Sequence, residues 1–501
     1  MALKGTATIE LTNADGSKEI IKHDNMITNA VNDLCMSQRG EMASILKIVN
    51  NGDSYAQALF GGLLLFDETL NDNPDDYFFP TTKVTGYASQ DAYAGLDISR
   101  GSFNASEGGV QADGSYKFVW DFATSQANGT IKSLALCPNM MGKIGATNDR
   151  QVDDARDFYI TNDLTAPFNS YGRMLPDNGT TEGISNYNFN IVAVVGDIAY
   201  AVEEYNIRLN SNYASRYITN NGGILRFYKF KLGATSISLA DKVCRARYLG
   251  YDDVTLPSEF ISILHTGNNE YCLSYFYDYE TSTLTVFPCY KKADIPINGT
   301  TKYVDINLTN MSTALYTFTN NTAGIIPRNG TAHNGGQRYS LFVCRDYIVN
   351  CSLVGEYYNM YITKRSDNTQ VVKCYGKDKD GLNAGKIILF RPLFISNNMM
   401  VLRIENPWYV GEIDNPYMFA ILDMNTGLLK TTNAKNMSID NMVDIGHKTV
   451  FARCMSYASY RLTINPFILT TKNNLDAPVV KTANQTMKIT YTLSEVAESG
   501  V

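Results

Sequence analysis

The chain has 501 residues, 44% of them hydrophobic, and a formal net charge of −7 with its basic residues scattered. That length exceeds one ordinary core and implies two or more domains. The scattered charge excludes a phosphate-backbone binder, which gathers Lys and Arg on one face, so no nucleic-acid partner is expected. The longest nearly uninterrupted apolar stretch, residues 58–66, holds two glycines and is far too short to cross a bilayer, so no membrane insertion is expected. Tyrosine (33) and phenylalanine (22) are abundant and charged residues make up only 19%, a bias that suits pleated, half-buried surfaces and predicts a mainly β protein. The opening residues lead straight into an alternating pattern without an apolar leader, so export by a cleaved signal is not expected.

Residues 5–11 alternate as a half-buried strand does, Asn13-Ala14-Asp15-Gly16 turns the chain, and residues 18–22 return. Asp-Gly between two strands is a hairpin signal. The period then changes: Ile27, Val31, Leu34 and Cys35 recur at three and four residues behind Asp24 and Asn25, which predicts a helix. A second short helical pattern covers 42–49. Strands are expected at 59–66, 83–87, 116–122 and 129–137, so the first 150 residues read as a β-sandwich-like domain with one helical excursion. Residues 151–185 are polar and turn-rich and read as a linker or extended loop.

From 186 to 475 a unit recurs in which two apolar strands flank a tight polar turn and two more strands follow. The first unit takes 191–195, 198–202, 224–232 and 236–239. The second takes 261–264, 271–275, 275–279 and 284–287; the third, 339–344, 347–351, 358–362 and 371–375. The fourth takes 387–395, 399–404, 418–422 and 428–431, and the fifth 442–445, 449–453, 460–464 and 467–471. About five units of four strands are the pattern of a β-propeller, which removes the edge-strand problem by radial closure. Stacked sandwiches are the alternative, since the units share a pattern and no residue signature.

Chemistry-bearing motifs are few. His23, His265, His333 and His447 lie far apart with no metal-ligand spacing, so no metal and no cofactor are expected. Nine cysteines (Cys35, Cys137, Cys244, Cys272, Cys289, Cys344, Cys351, Cys374 and Cys454) form no CxxC pair, and they read as buried free thiols of a reducing cytoplasm. The chain lacks both a Gly-x-Ser-x-Gly elbow and a Walker phosphate loop. Asp67, Glu68, Asp72, Asp75 and Asp76 form one acidic cluster and Asp378-Lys379-Asp380-Gly381 another, neither with the twelve-residue loop of an EF-hand. Aromatic segments able to stack on a glycan or touch a receptor are Trp408-Tyr409, flanked by Pro407 and Gly411, Tyr357-Tyr358 and Tyr275–Tyr279; strand packing competes with that role.

Three segments stand out: Asp24-Asn25-Met26-Ile27-Thr28-Asn29-Ala30-Val31-Asn32-Asp33-Leu34, then Gly61-Gly62-Leu63-Leu64-Leu65-Phe66-Asp67 with Gly86-Tyr87 and Arg100-Gly101-Ser102-Phe103-Asn104, and Val119-Trp120-Asp121-Phe122 running to Ala127-Asn128-Gly129-Thr130-Ile131. They resemble a family of tailed-bacteriophage virion proteins of the tail, baseplate and fibre type. Residues 481–493 resemble the closing strand of the same domain. The likeness covers roughly the first 150 and the last 20 residues. It implies an anchoring domain made of 1–150 with 476–501, from which the propeller-like domain read from pattern at 186–475, itself like no one family, is displayed past the 151–185 linker. It further implies a non-enzymatic protein of the virion, made in the host bacterial cytoplasm, working as a homo-oligomer with other phage virion proteins and with a host-surface glycan or protein. A tail-borne polysaccharide-degrading propeller enzyme is the alternative, and a bacterial surface adhesin a third reading.

Overall fold

The computed structural model describes residues 2–31, 49–50, 53–80, 83–144, 151–152, 159–163, 189–196, 198–205, 207–209, 216–218, 223–231, 247–264, 271–290, 300–319, 341–344, 346–354, 357–366, 370–375, 389–396, 399–405, 417–424, 429–434, 442–444, 449–456 and 459–496. The fold is mainly β, a sandwich carrying an inserted propeller-like ring. Among the described residues no helix is long and apolar enough to cross a membrane.

The sandwich has two sheets. In the first, the strands run in the order Lys18–Asp24, Ala2–Asn13, Gln485–Val496, Tyr116–Phe122 and Ser102–Phe103, with Gly109–Val110 also on Tyr116–Phe122. Ala2–Asn13 and Gln485–Val496 pair antiparallel along their whole length, from Ala2 opposite Val496 to Asn13 opposite Gln485. Ala7, Ile9 and Leu11 on one strand and Met487, Ile489, Tyr491 and Leu493 on the other turn inward and are buried, as the two-residue period requires. The hairpin between Ala2–Asn13 and Lys18–Asp24 closes on Gly16, whose φ of 84° lies in the left-handed region that favours glycine.

The second sheet runs Met26–Ile27, Thr471–Lys481, Gly129–Cys137, Gly62–Phe66 and Val84–Ala88. Gly62–Phe66 is buried on both faces, because the short helices Tyr55–Phe60 and Asn139–Ile144 cover its outer side. Gly142 permits that approach: a Cβ there would lie 2.5 Å from the Gly62 Cα. Between the sheets Trp120 is wholly buried and its ring stacks on Phe118 at 5.6 Å.

Five sheets follow. Phe189–Val195, Ile198–Tyr205, Ile224–Lys231 and Arg247–Thr255 make the first, and Tyr271–Asp278, Thr283–Tyr290, Thr300–Asn307 and Thr313–Thr319 the second. The third is Leu341–Cys344, Tyr347–Val354, Tyr357–Lys364 and Gln370–Tyr375. The fourth is Leu389–Ser396, Met399–Glu405, Tyr417–Asp423 and Leu429–Ala434, with Gln151–Val152 parallel at its outer edge. Met442–Asp444, Val450–Ser456 and Ser459–Ile464 make three strands of the fifth; its fourth is Tyr159–Asp163, from before the ring. The leading strand of each sheet touches that of the next, and the fifth touches the first, which closes the circle.

Details differ from the sequence reading. Residues 151–185, read as linker or loop, contain the strands Gln151–Val152 and Tyr159–Asp163; they complete sheets four and five, a pairing too distant in sequence for local pattern to show. Residues 467–471, read as the last strand of the fifth unit, instead enter the sandwich, where the Phe79 N–H donates to the Phe467 carbonyl at 2.8 Å and the Leu469 N–H to that of Tyr77. Residues 261–264, read as a strand, belong to the helix Ser258–Leu264, and residues 59–60 of the expected strand 59–66 to the helix Tyr55–Phe60. In the expected helix from Ile27, Met26–Ile27 is a strand and helical backbone runs over 29–31; 42–49 falls largely outside the described residues.

The chain enters the fifth sheet at Tyr159, opposite Thr463, and leaves it at Ile464. At the fifth sheet the arriving and departing strands are therefore neighbours, although the chain first meets the ring at Gln151–Val152 on the fourth sheet. At that exit the Asn465 N–H donates to the Thr449 carbonyl at 2.8 Å, both residues buried. Val194, Ala199 and Met399, beside the first turns of sheets one and four, share one apolar cluster with the sandwich core. The sandwich thus sits against the ends of the sheets where first strands turn into second strands.

Candidate functional site

The outer face of the first sandwich sheet bears Thr6, Thr8, Glu10 and Thr12 on one central strand and Thr486, Lys488, Thr490 and Thr492 on the other, the residues that alternate with the buried set. Glu10 stands opposite Lys488, and Lys488 opposite Asp121, so charge alternates across the strands. Lys18 Nζ lies 2.9 Å from Glu10, Lys488 Nζ lies 2.6 Å from Glu107, and Asn104 donates to Asp121 at 2.8 Å. The Lys488 ammonium holds the Glu107 carboxyl below its ordinary range, and Glu107 in turn raises the Lys488 pKa. Near the Glu10 and Lys488 end a cleft of about 690 Å³ opens, walled by Tyr93, Gly95, Ser125 and Gln126. Hydroxyls, paired charges and an aromatic edge make this face able to hydrogen-bond a polar surface.

The cleft wall belongs to a loop fixed by its own hydrogen bonds. Trp120 Nε1 donates to the Ser89 carbonyl at 2.9 Å, Tyr87 Oη to Asp97 at 2.6 Å, and the Asp97 N–H to Tyr93 Oη at 2.8 Å. Arg100 lies 4.5 Å from the Tyr93 ring centroid, and Asp91 receives both Arg100 (3.5 Å) and Lys143 (3.0 Å). This frame holds Leu96 at 99% exposure and Ile98 at 69%.

Two lysines of Thr471–Lys481 are buried and act as clamps. Lys472 donates to the carbonyls of Asn71 (2.8 Å) and Asn73 (3.2 Å), inside the first acidic cluster. Burial lowers its pKa while Asp76 and Asp72 oppose that shift. Asp72 accepts from Asn474, and Asp75 accepts from Asn29 at 2.6 Å. Lys481, 1% exposed, donates to the carbonyls of Ala123 (2.9 Å) and Thr124 (3.2 Å) and to Asn128 Oδ1 (2.8 Å); burial lowers its pKa to about 8.

Of the aromatic contact candidates, Trp408 and Tyr409 lie outside the described residues. Tyr357 and Tyr358 begin a strand, opposite Val354 and Leu353. His265, His333, His447 and the second acidic cluster also lie outside the described residues, while His23 is 3.6 Å from Asp476. Cys137 is a buried free thiol whose pKa burial raises. Among the described residues no group of three His, Cys, Asp or Glu is placed to hold a metal ion. Sequence reasoning missed the Glu10–Lys488 face and the Leu96 loop; the alternation of Thr with charge in 4–12 and 486–494 was the available signal for the face.

No protein-family model matches the chain, and no curated protein does. Solved structures do, at low likeness. A GH43 β-1,3-galactosidase is 14% identical at a TM-score of 0.31, over 62% of this chain and 61% of that one. The Nup133 β-propeller domain of Vanderwaltozyma polyspora is 9% identical at 0.22 over 52% and 61%, and the Dos1 propeller is 10% identical at 0.22 over 76% and 95%. The present chain thus spans about three-fifths of the galactosidase. At these scores nothing about activity or partners passes to it.

Proposed function

We propose that this chain is a particle-mounted structural protein of a tailed bacteriophage, in its tail, baseplate or fibre apparatus. The sandwich anchors it to other virion proteins, and the five-sheet ring is displayed for assembly or for contact with a host-surface glycan or protein. The observation that carries the reading is the unbroken register of Ala2–Asn13 with Gln485–Val496. With those strands locked together, both ends of a large insert are tied to one mount. The resemblance at Asp24–Leu34, Gly61–Asp67 and Val119–Ile131 supplies the particle. Binding and assembly, not turnover, is the task this reading assigns.

Antibody labelling of virions by electron microscopy tests it. Gold particles at one fixed place on the appendage are expected. Chain found in infected cytoplasm and never on particles refutes the reading, and oligosaccharide release from host envelope glycans by purified protein refutes its non-enzymatic part.

A further inference from the structure

We propose, independently of the particle reading, that the open edge of the first sandwich sheet, the strand Lys18–Asp24, pairs antiparallel with the same strand of a second copy of this chain. That strand is hydrogen-bonded on one side, to Ala2–Asn13, and among the described residues no strand pairs with its other side. Five of its seven residues are exposed, Ile20 at 55%. An edge of this kind is a template for another strand. Its phase is fixed by two bonds: the Asn13 N–H donates to the Ser17 carbonyl at 2.9 Å, and the Asn25 N–H to the Gly5 carbonyl at 3.0 Å. Hydrogen-bonded pairs alternate along an antiparallel ladder. Glu19, Ile21 and His23 therefore direct their N–H and C=O groups to Ala2–Asn13, and Lys18, Ile20, Lys22 and Asp24 direct theirs outward.

A two-fold axis beside Ile21, perpendicular to the sheet, makes Lys18 and Asp24, and likewise Ile20 and Lys22, the hydrogen-bonded pairs between the two copies. Every outward backbone group of the strand then has a partner. The Asp24 carbonyl, 2.7 Å from His23 Nδ1, keeps a second lone pair for this. The side chains agree with the same axis. Lys18 meets Asp24 of the second copy and Glu19 meets its His23, each twice by symmetry. The aliphatic stem of Lys22 covers Ile20, and Ile21, already packed against the sandwich core, meets its own counterpart. Sliding the strands by one hydrogen-bonded step either way sets Lys18 on Lys22 or Lys22 on itself, and leaves an outward residue without a partner in the strand. Lys18 and Asp24 also have neighbours in their own chain, Glu10 at 2.9 Å and Lys4 at 3.4 Å, and remain exposed. Charge therefore selects the register, while the backbone bonds hold the strands together.

The test is sedimentation velocity on the full-length protein, in which wild type is expected to dimerise. Ile20→Pro removes an outward N–H and no bond to Ala2–Asn13, and proline is tolerated at such edge positions. It is expected to abolish dimers while retaining the wild-type circular dichroism spectrum. Lys18→Glu and Asp24→Lys each turn both symmetric ion pairs into like-charge pairs, and each is expected to weaken self-association roughly tenfold. Mixed in equal amounts they are expected to form a heterodimer, because all four charges then complement. A monomeric wild type, dimers that persist in folded Ile20→Pro, or folded charge variants that stay apart when mixed overturns the proposal.

Discussion

Lys481→Met isolates the cost of burying an ammonium and should change how stability depends on pH. The group is 1% exposed and its pKa falls to about 8, against an ordinary value of 10.5. Between those two values the unfolded chain binds a proton that the folded chain has released, so folding stability rises with pH. At about 1.36 kcal/mol per unit, the rise over the 1.5 units from pH 8 to 9.5 is about 2 kcal/mol, nearly all of it unscreened by solvent. Below pH 8 the lysine stays charged and the burial cost stays in full. Tyr491, whose pKa burial raises, works in the opposite sense above pH 10, which sets the upper end of the window. Urea unfolding of wild type and variant at pH 8 and 9.5 measures the difference, in which every other titrating group cancels. Wild type is expected to gain about 2 kcal/mol relative to Lys481→Met. Parallel pH profiles for the two proteins refute the reasoning.

Gly101→Ala should destabilise the sandwich by about 1–3 kcal/mol, because its Cβ would lie 2.6 Å from two Phe122 ring atoms in a packed core; thermal unfolding reads this. Arg365→Met removes the cation that lies over the rings of Tyr303 (4.7 Å) and Tyr316 (5.2 Å) and pairs with Asp305 at 2.5 Å, a contact between the second and third sheets. With Thr285 left as the donor to Asp305 among the described residues, the loss should be about 3 kcal/mol, with faster hydrogen exchange in Thr300–Asn307. Lys472→Met should cost about 1–3 kcal/mol by freeing the carbonyls of Asn71 and Asn73. Since Lys472 already places a cation in the acidic cluster, calcium should leave the wild-type melting temperature unchanged; a rise on titration contradicts this.

The sandwich was readable where local pattern and tertiary role agree. Asp15-Gly16 announced its hairpin, and the alternation of Met487, Ile489, Tyr491 and Leu493 announced a strand with one buried face. Sheets three and four emerged from sequence because their four strands are consecutive and apolar. The fifth sheet was misread at its outer strand, since Tyr159–Asp163 is supplied from some three hundred residues earlier and carries no mark of that destination. Arg247–Thr255 was missed for a different reason. As the outer strand of the first sheet it pairs on one side only, with Tyr251 47% exposed and Asp252 and Asp253 in ion pairs, so its pattern looks like a loop. The site was less legible than the fold. Lys472 and Lys481 look like surface lysines until the turns they clamp are in place, and Leu96 looks like a core residue until its loop is built.

The account rests on the two terminal strands forming one sheet around an inserted ring, and a Lys4→Cys, Ser494→Cys double variant of the full chain tests that directly. These residues stand opposite each other in the register. Mild oxidation followed by peptide mapping is predicted to yield an intrachain disulfide joining positions 4 and 494, with a compact, faster-running monomer on a non-reducing gel. Two thiols that stay free, or that link only between chains, contradict it.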